Sequence, residues 1–162
     1  MNKISLRNKK VLKKYLQIKI ECQSKKYKDH IHLLNLKHFT RHVLQEEGHS
    51  GGNIGIIFAS NKYIQQLNLR FFERLEPTDV ISFPLHEMDS EVPEGELYIS
   101  VDQAQYQALE YHVPLNTEIQ RLVIHGILHV LGYEDTTMAQ KKKMTVREDH
   151  YISVLGGIAI FN

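Results

Sequence analysis

The chain has 162 residues, of which 42% are hydrophobic and 24% are charged, and its formal net charge is +1. This composition excludes an intrinsically disordered chain, and the length suits one domain with one core. A net charge so close to zero gives no general attraction to polyanions, and no apolar run approaches the ~20 residues of a membrane span. Cys22 is the only cysteine, which excludes an internal disulfide and fits a reducing compartment, so we expect a cytoplasmic protein.

The first 16 residues are basic and contain no acidic residue. We expect a solvated tail here, followed by a single domain over residues 17–162. The alternative is an arm that binds a polyanion, since clustered cations bind phosphate by releasing counterions. No apolar segment follows the basic residues, so we do not expect a signal peptide. The cations of the segment are Lys3, Arg7, Lys9, Lys10, Lys13 and Lys14.

Hydrophobic periodicity predicts four strands and about five helices. Short apolar or alternating runs predict the strands, and apolar residues on one helical face predict the helices. The strands are predicted at 17–22, 54–59, 80–83 and 96–100, and the helices at 35–47, 60–68, 100–111, from 117 onward and at 137–155. This order predicts a single α+β domain in which helices pack on a small mixed sheet of four strands.

Polar residues predict where several of these helices begin. A serine or threonine that caps the helix, followed three residues later by glutamine, forms a capping box. The pattern occurs at Ser100 with Gln103, at Thr117 with Gln120 and at Thr137 with Gln140. Asn35 and Ser60 are predicted as further N-caps.

His125 and His129 lie four residues apart in the helix that is predicted to begin at Thr117. Because an α-helix turns every ~3.6 residues, both imidazoles face the same side and can bind one metal ion. Gly132 allows the helix to end and the chain to turn back, so Asp135 can bring a carboxylate to the same ion. The alternative is that both histidines are ordinary core or surface residues.

The spacing H-x-x-x-H-x-x-G-x-x-D is similar to that of the metzincin zinc proteases, with two differences. Gly126 occupies the position of the glutamate that serves those proteases as general base, which argues against a peptidase. Asp135 occupies the position of their third histidine, and a carboxylate oxygen is an ordinary zinc ligand. Glu134 is a competing carboxylate, but the spacing favours Asp135.

Three segments, in the same order along the chain, resemble the YbeY family of bacterial endoribonucleases. In chain order, the first consists of Leu67 and Asn68 followed by residues 77–84, the second is residues 95–100, and the third is residues 125–135. The resemblance covers about residues 17–155 and implies a metzincin-like α+β fold with one Zn²⁺ ion per chain. By position, it implies His125, His129 and Asp135 as the zinc ligands.

The same resemblance implies an activity and its partners. The activity is cleavage of single-stranded RNA, in 3′-end maturation of small-subunit rRNA and in ribosome quality control. The implied partners are ribosomal RNA and the small ribosomal subunit, with no membrane and no DNA. Two alternatives remain, namely a ribosome-associated RNA-binding protein with a structural metal and a metzincin-like zinc peptidase. Either water or the ribose 2′-hydroxyl can be the nucleophile.

Two residues depart from the family pattern. The third ligand is usually histidine in the family, and Asp135 in its place adds negative charge, so we expect a weaker Lewis acid and modest activity. The family usually has an arginine where this chain has Phe72. Arg70 and Arg74 are the candidates to contact phosphate instead.

Other polar residues are first expected to have structural roles. We expect Thr78, Asp79 and Ser82 to form turns or caps, with the lining of a cleft as the alternative. We expect Glu148 and His150 to be solvated residues of the last helix, with metal ligation as the alternative.

Overall fold

Four strands form one mixed sheet in the order β1-β2-β4-β3. The computed structural model describes residues 15–87 and 90–162, so residues 1–14 of the predicted basic tail lie outside the described residues. Strand β1 pairs in parallel with β2, β2 pairs in parallel with β4, and β3 pairs with β4 in antiparallel fashion. The strands are β1 Leu16–Cys22, β2 Gly52–Ala59, β3 Val80–Pro84 and β4 Glu94–Ser100.

Six helices accompany the sheet within the described residues. They are α1 Lys25–Lys28, α2 Leu33–Glu46, α3 Asn61–Phe72, α4 Val101–Glu110, α5 Leu115–Val130 and α6 Met138–Leu155. The predicted fold, α+β with a small mixed sheet of four strands, is confirmed. The additional helix is the four-residue α1, which is too short for its periodicity to be recognised in the sequence. None of the helices in the described part of the chain is long and apolar enough to cross a bilayer.

The predicted helix starts are partly correct. Ser60 and Ser100 accept hydrogen bonds from the first turns of α3 and α4, and Thr137 forms a complete capping box with Gln140. The prediction at Thr117 is wrong, because α5 begins at Leu115 behind Pro114. The N-cap is Pro114, three residues before Thr117, and the helix does not extend further upstream because proline disfavours helical backbone in the residue that precedes it.

The prediction of Asn35 as an N-cap is also wrong. Helix α2 begins at Leu33, which places Asn35 within the first turn. The side-chain Nδ2 of Asn35 instead donates to the carbonyl oxygen of Ala159, at 2.7 Å. The residue therefore ties the start of α2 to the C-terminal segment of the chain.

Two apolar clusters cover the two faces of the sheet. The larger joins α2, α5 and α6 to one face through fully buried residues such as Ile54, Ile56 and Leu97. In the smaller, Ile64 of α3 packs with Ala59 and with Ile81, which lie in the sheet. Because side chains alternate along a strand, neighbouring strand residues serve opposite clusters.

Helix α5 lies unusually close to β3 and β4 at Gly126. A Cβ atom built on Gly126 would be 2.9 Å from Cδ2 of Leu97 and 3.2 Å from Oγ of Ser82. Only a residue without a side chain allows this approach, so the helix backbone rests on the strands. This contact fixes the position of His125 and His129 relative to β3.

Candidate metal centre and cleft

Three side chains converge at the C-terminal half of α5. The Nε2 atoms of His125 and His129 are 3.0 Å apart, and Oδ2 of Asp135 is 3.8 Å and 3.6 Å from them, respectively. Donors that bind zinc tetrahedrally at ~2.0–2.2 Å are ~3.3–3.6 Å from one another. The three donors therefore form a triangle of the right size to hold one metal ion.

The end of α5 brings Asp135 back to the two histidines. The helix ends at Val130 with Leu131 as its C-cap, and Gly132 has a φ of +90°, in the left-handed region. The amide of Tyr133 donates to the carbonyl oxygen of Leu128 at 2.9 Å, which turns the chain across the end of the helix. Glu134 faces elsewhere, because its Oε2 accepts a hydrogen bond from Gln140 at 2.6 Å.

Each imidazole is held by its second nitrogen. Nδ1 of His125 lies 2.7 Å from Oε1 of Glu148, and Nδ1 of His129 lies 2.9 Å from the carbonyl oxygen of Tyr133. Since both partners are acceptors, each ring carries a proton on Nδ1 and directs the lone pair of Nε2 toward the other ring. Such outer acceptors orient histidines that bind metals and strengthen them as donors. Two facing lone pairs 3.0 Å apart require a proton or a cation between them.

The two imidazoles differ in their pKa. Burial lowers the pKa of His125, but the hydrogen bond and charge of Glu148, with the charge of Asp135, outweigh it and raise the value. At His129, burial and the adjacent charge of His125 lower the pKa, although Asp135 opposes them. The environment therefore favours one positive charge at the pair, which a metal cation can supply in place of a proton.

The triangle lies in the wall of a cleft with a volume of about 530 Å³. The opposite parts of the cleft come from the end of α3, the segment before β3, and β3 itself. The residues that line it are Asn68, Phe72, Arg74, Thr78, Asp79, Val80, Ile81, Ser82, Pro84, His125, His129 and Asp135. The three donors are thus open to a molecule that enters the cleft.

Thr78, Asp79 and Ser82 all line this cleft, as the alternative for these residues anticipated. Asp79 also has the expected local role, because Oδ1 accepts from the amide of Val80 at 2.7 Å. Its Oδ2 accepts from Nε2 of Gln107 at 2.9 Å, so its carboxylate links β3 to α4. The hydroxyl oxygen of Ser82 is buried and has no hydrogen-bond partner among the described residues.

The two candidate phosphate contacts lie in different environments. Arg74 lines the cleft, whereas Arg70 does not and instead places its guanidinium 5.4 Å from the ring centre of Phe71. Phe72 also lines the cleft. Contact with phosphate remains a prediction for both arginines.

Glu148 is the site residue that the sequence interpretation placed wrongly. It was expected to be solvated, but it is 7% exposed and accepts a hydrogen bond from His125. The signal was present in the pattern of α6, whose other buried residues are Met144, Tyr151 and Leu155. Their spacing places Glu148 within the buried stripe of the helix rather than on its solvated side.

Comparisons with known proteins identify the family to which the chain belongs. The sequence model of the family described as Endoribonuclease YbeY matches residues 17–156. The endoribonuclease YbeY of Chlorobaculum tepidum is 39% identical over 112 residues, which are 69% of this chain and 80% of that protein. The endoribonuclease YbeY of Chlorobium phaeovibrioides is 34% identical over 121 residues, which are 75% of this chain and 80% of that protein.

The fold has a counterpart among solved structures. A solution structure of a protein from Thermotoga maritima superimposes with a TM-score of 0.64 at 30% sequence identity, covering 87% of this chain and 90% of that chain. The family resemblance noted in the sequence is confirmed by these matches. The chain belongs to the endoribonuclease YbeY family, whose members are enzymes that hydrolyse RNA.

Proposed function

We propose that this protein is a zinc-dependent endoribonuclease that cleaves single-stranded RNA. Its proposed task is 3′-end maturation of small-subunit rRNA and ribosome quality control. The observation that carries the proposal is the convergence of His125, His129 and Asp135 in the wall of an open cleft, in a chain of this family.

The donor set suits zinc. Two neutral imidazoles and one carboxylate are ligands that zinc accepts, and a set of three leaves a fourth position for substrate or solvent. Zinc held there would supply a Lewis acid, which polarises a phosphoryl oxygen and makes water more acidic. Glu148 and the carbonyl oxygen of Tyr133 orient the two imidazoles for this task.

Other residues of the cleft bind and orient the RNA in this proposal. Arg74 attracts a phosphate of the backbone in this proposal, because the residue lines the cleft and its guanidinium makes no ion pair with a carboxylate of the described residues. Gly126 supplies no acid or base, because it has no side chain and Leu97 and Ser82 leave no room for one. Activation of the nucleophile, either water or the ribose 2′-hydroxyl, therefore depends on the metal site.

The open geometry argues against a purely structural metal. Structural zinc sites are usually closed by four protein ligands, whereas three donors of the described residues meet here. The side chains of His125 and His129 are 28% and 27% exposed, and that of Asp135 is 42% exposed. The packing at Gly126 argues against the peptidase alternative, because a glutamate at that position would collide with β4.

We propose ribosomal RNA and the small ribosomal subunit as the partners, and the cytoplasm as the location, with no role for membranes or DNA. Residues 17–162 act as the catalytic domain in this proposal. Sedimentation of the purified protein with small ribosomal subunits tests the partnership, and a DNA strand of the same sequence tests the preference for RNA.

The cleavage assay uses a single-stranded RNA that contains the 3′ end of small-subunit rRNA. We expect wild-type protein to cleave it, a chelator to stop cleavage and added zinc to restore it. His129→Ala should abolish cleavage while circular dichroism stays unchanged, and His38→Ala, an exposed histidine of α2, should behave as wild type. Equal cleavage by His129→Ala and wild type would contradict the proposal.

A further inference from the structure

Phe72, the last residue of α3, presents an aromatic ring at the cleft. The residue lines the cleft together with His125, His129 and Asp135, and it is 45% exposed. The chain turns sharply just after it, because Glu73 has a φ of +54° and ends the helix. The ring is therefore placed at the mouth of the site rather than in the core.

The ring of Phe72 is held from one side. It stacks on Phe83 of β3, with ring centres 5.9 Å apart and an interplanar angle of 19°. Phe83 in turn packs edge-to-face with Phe71 and with Tyr98, with ring centres 5.1 Å and 5.8 Å apart, respectively. An aromatic ring that is backed in this way loses little freedom when a second flat group stacks on it.

The charges beside this ring suit a phosphate backbone. Arg74 lies in the lining of the same cleft, and Arg70 lies over the ring of Phe71. Neither guanidinium forms an ion pair with a carboxylate in the described part of the chain. An exposed ring flanked by free cations is the combination that binds single-stranded nucleic acid, through bases and phosphates respectively.

We propose that Phe72 is a stacking platform for one nucleobase of the RNA strand in the cleft, with an adjacent phosphate at Arg74. The inference rests on the proposed endoribonuclease function and names how that site selects its substrate. Bases within a duplex are covered on both faces by their neighbours, so only an unpaired base can lie on Phe72. The platform therefore contributes to the preference for single strands.

The first test compares substitutions that remove an exposed aromatic ring but keep an apolar side chain. Phe72→Leu is paired with Tyr106→Leu, since Tyr106 is 62% exposed on α4 and lies outside the cleft lining. Binding of a fluorescent 2′-O-methyl RNA strand to the zinc-loaded protein is measured by anisotropy. We expect Phe72→Leu to bind on the order of tenfold more weakly and Tyr106→Leu to bind as wild type.

The second test uses the absence of tryptophan from the chain. Phe72→Trp introduces a single reporter at the platform, and Tyr106→Trp introduces one elsewhere on the surface. We expect the single strand to quench the fluorescence of Phe72→Trp with saturation and to leave Tyr106→Trp unchanged. The same sequence in a duplex should quench Phe72→Trp much less.

The outcomes separate this inference from the proposed function. Unquenched Phe72→Trp in the presence of bound RNA, or wild-type affinity of Phe72→Leu, would overturn the platform even if zinc-dependent cleavage is found. Absence of cleavage by the wild type, with normal quenching, would overturn the proposed function alone. A change in the oligomeric state of Phe72→Leu without a change in RNA affinity would show that the ring contacts protein, which also overturns the inference.

Discussion

Nδ1 of His125 donates a hydrogen bond of 2.7 Å to the carboxylate of Glu148, which joins α5 to α6 directly behind the metal triangle. The other carboxylate oxygen of Glu148 accepts from Arg121 at 3.4 Å. These two contacts hold the carboxylate of Glu148 in place while it orients the imidazole. The negative charge strengthens Nε2 of His125 as a donor toward a cation.

Glu148→Gln should therefore weaken zinc binding while preserving the fold. The amide has nearly the same shape, but it lacks the charge, and loss of such an outer partner typically lowers metal affinity by ~10–100-fold. Competition with a chromogenic chelator measures the affinity, and circular dichroism checks the fold. Asp149→Asn is the matched control, because Asp149 is exposed and, among the described residues, its carboxylate pairs with Arg121 alone. Unchanged zinc affinity in Glu148→Gln would show that the charge of Glu148 does not support His125 as a zinc ligand.

The relation between His125 and Glu148 also illustrates what the sequence could and could not predict. The i, i+4 spacing of the histidines, the glycine turn and Asp135 are local features, and helix geometry alone brings them together. Glu148 lies 23 residues farther along the chain, on another helix, and its contact depends on how α6 packs against α5. Tertiary packing of this kind has no local signature, although the buried stripe of α6 offered an indirect one.

The errors at the helix starts have a similar origin. Thr117 and Asn35 are good capping residues, and a capping residue signals only that a helix can begin nearby. The actual N-caps, His32 and Pro114, lie three residues earlier, where the packing of α2 against the C-terminal segment and the proline determine them. Boundaries of helices are therefore less predictable from local sequence than their presence.

Asp135 offers a test of the third ligand. Asp135→Ala should lose more zinc affinity than Glu148→Gln, since it removes a donor rather than the support of one. Asp135→His should retain zinc and cleave RNA faster, because a neutral ligand leaves the ion a stronger Lewis acid. Metal content and cleavage rate are measured on the same preparations. Glu134→Ala, which removes the neighbouring carboxylate that contacts Gln140, should change neither.

Gly126 should tolerate no side chain without a cost in stability. In Gly126→Ala, the new methyl group meets Leu97, which is fully buried and has little room to move. Overpacking of a core typically costs ~1–3 kcal/mol, and the better helix propensity of alanine returns up to ~1 kcal/mol. We expect a net loss of about 1–2 kcal/mol in the free energy of unfolding by urea. Gly157→Ala, where a Cβ has no neighbour within 4 Å, should be nearly neutral.

Glu47, the residue after α2, anchors the loop that carries Asp135. Its carboxylate accepts hydrogen bonds from the hydroxyls of Tyr133 and Tyr151 at 2.8 Å and 2.7 Å, and from Nη2 of Arg147 at 2.6 Å. Burial raises the pKa of Glu47, but the hydrogen bonds from Tyr151, Arg147 and Tyr133 outweigh it, and the net pKa lies below the ordinary value of 4.5. The folded state therefore binds a proton at Glu47 less tightly than the unfolded state does.

This difference in pKa predicts how stability changes with pH. The stabilisation by Glu47 is complete above its unfolded pKa, near 4.5, and is lost as the pH falls through the lower folded value. Glu47→Gln should lose about 2 kcal/mol at pH ~7, since it leaves hydrogen bonds to a charged acceptor unmade. At a pH below the lowered folded pKa of Glu47, the stability of this variant should approach that of the wild type, because the wild-type carboxylate is then also neutral. Urea unfolding at both pH values measures the difference in stability between Glu47→Gln and the wild type.

Glu110→Gln, which changes an exposed residue at the end of α4, serves as the control. If Glu47→Gln were less stable than the wild type by the same amount at both pH values, the shape of the side chain, and not its charge, would hold the loop.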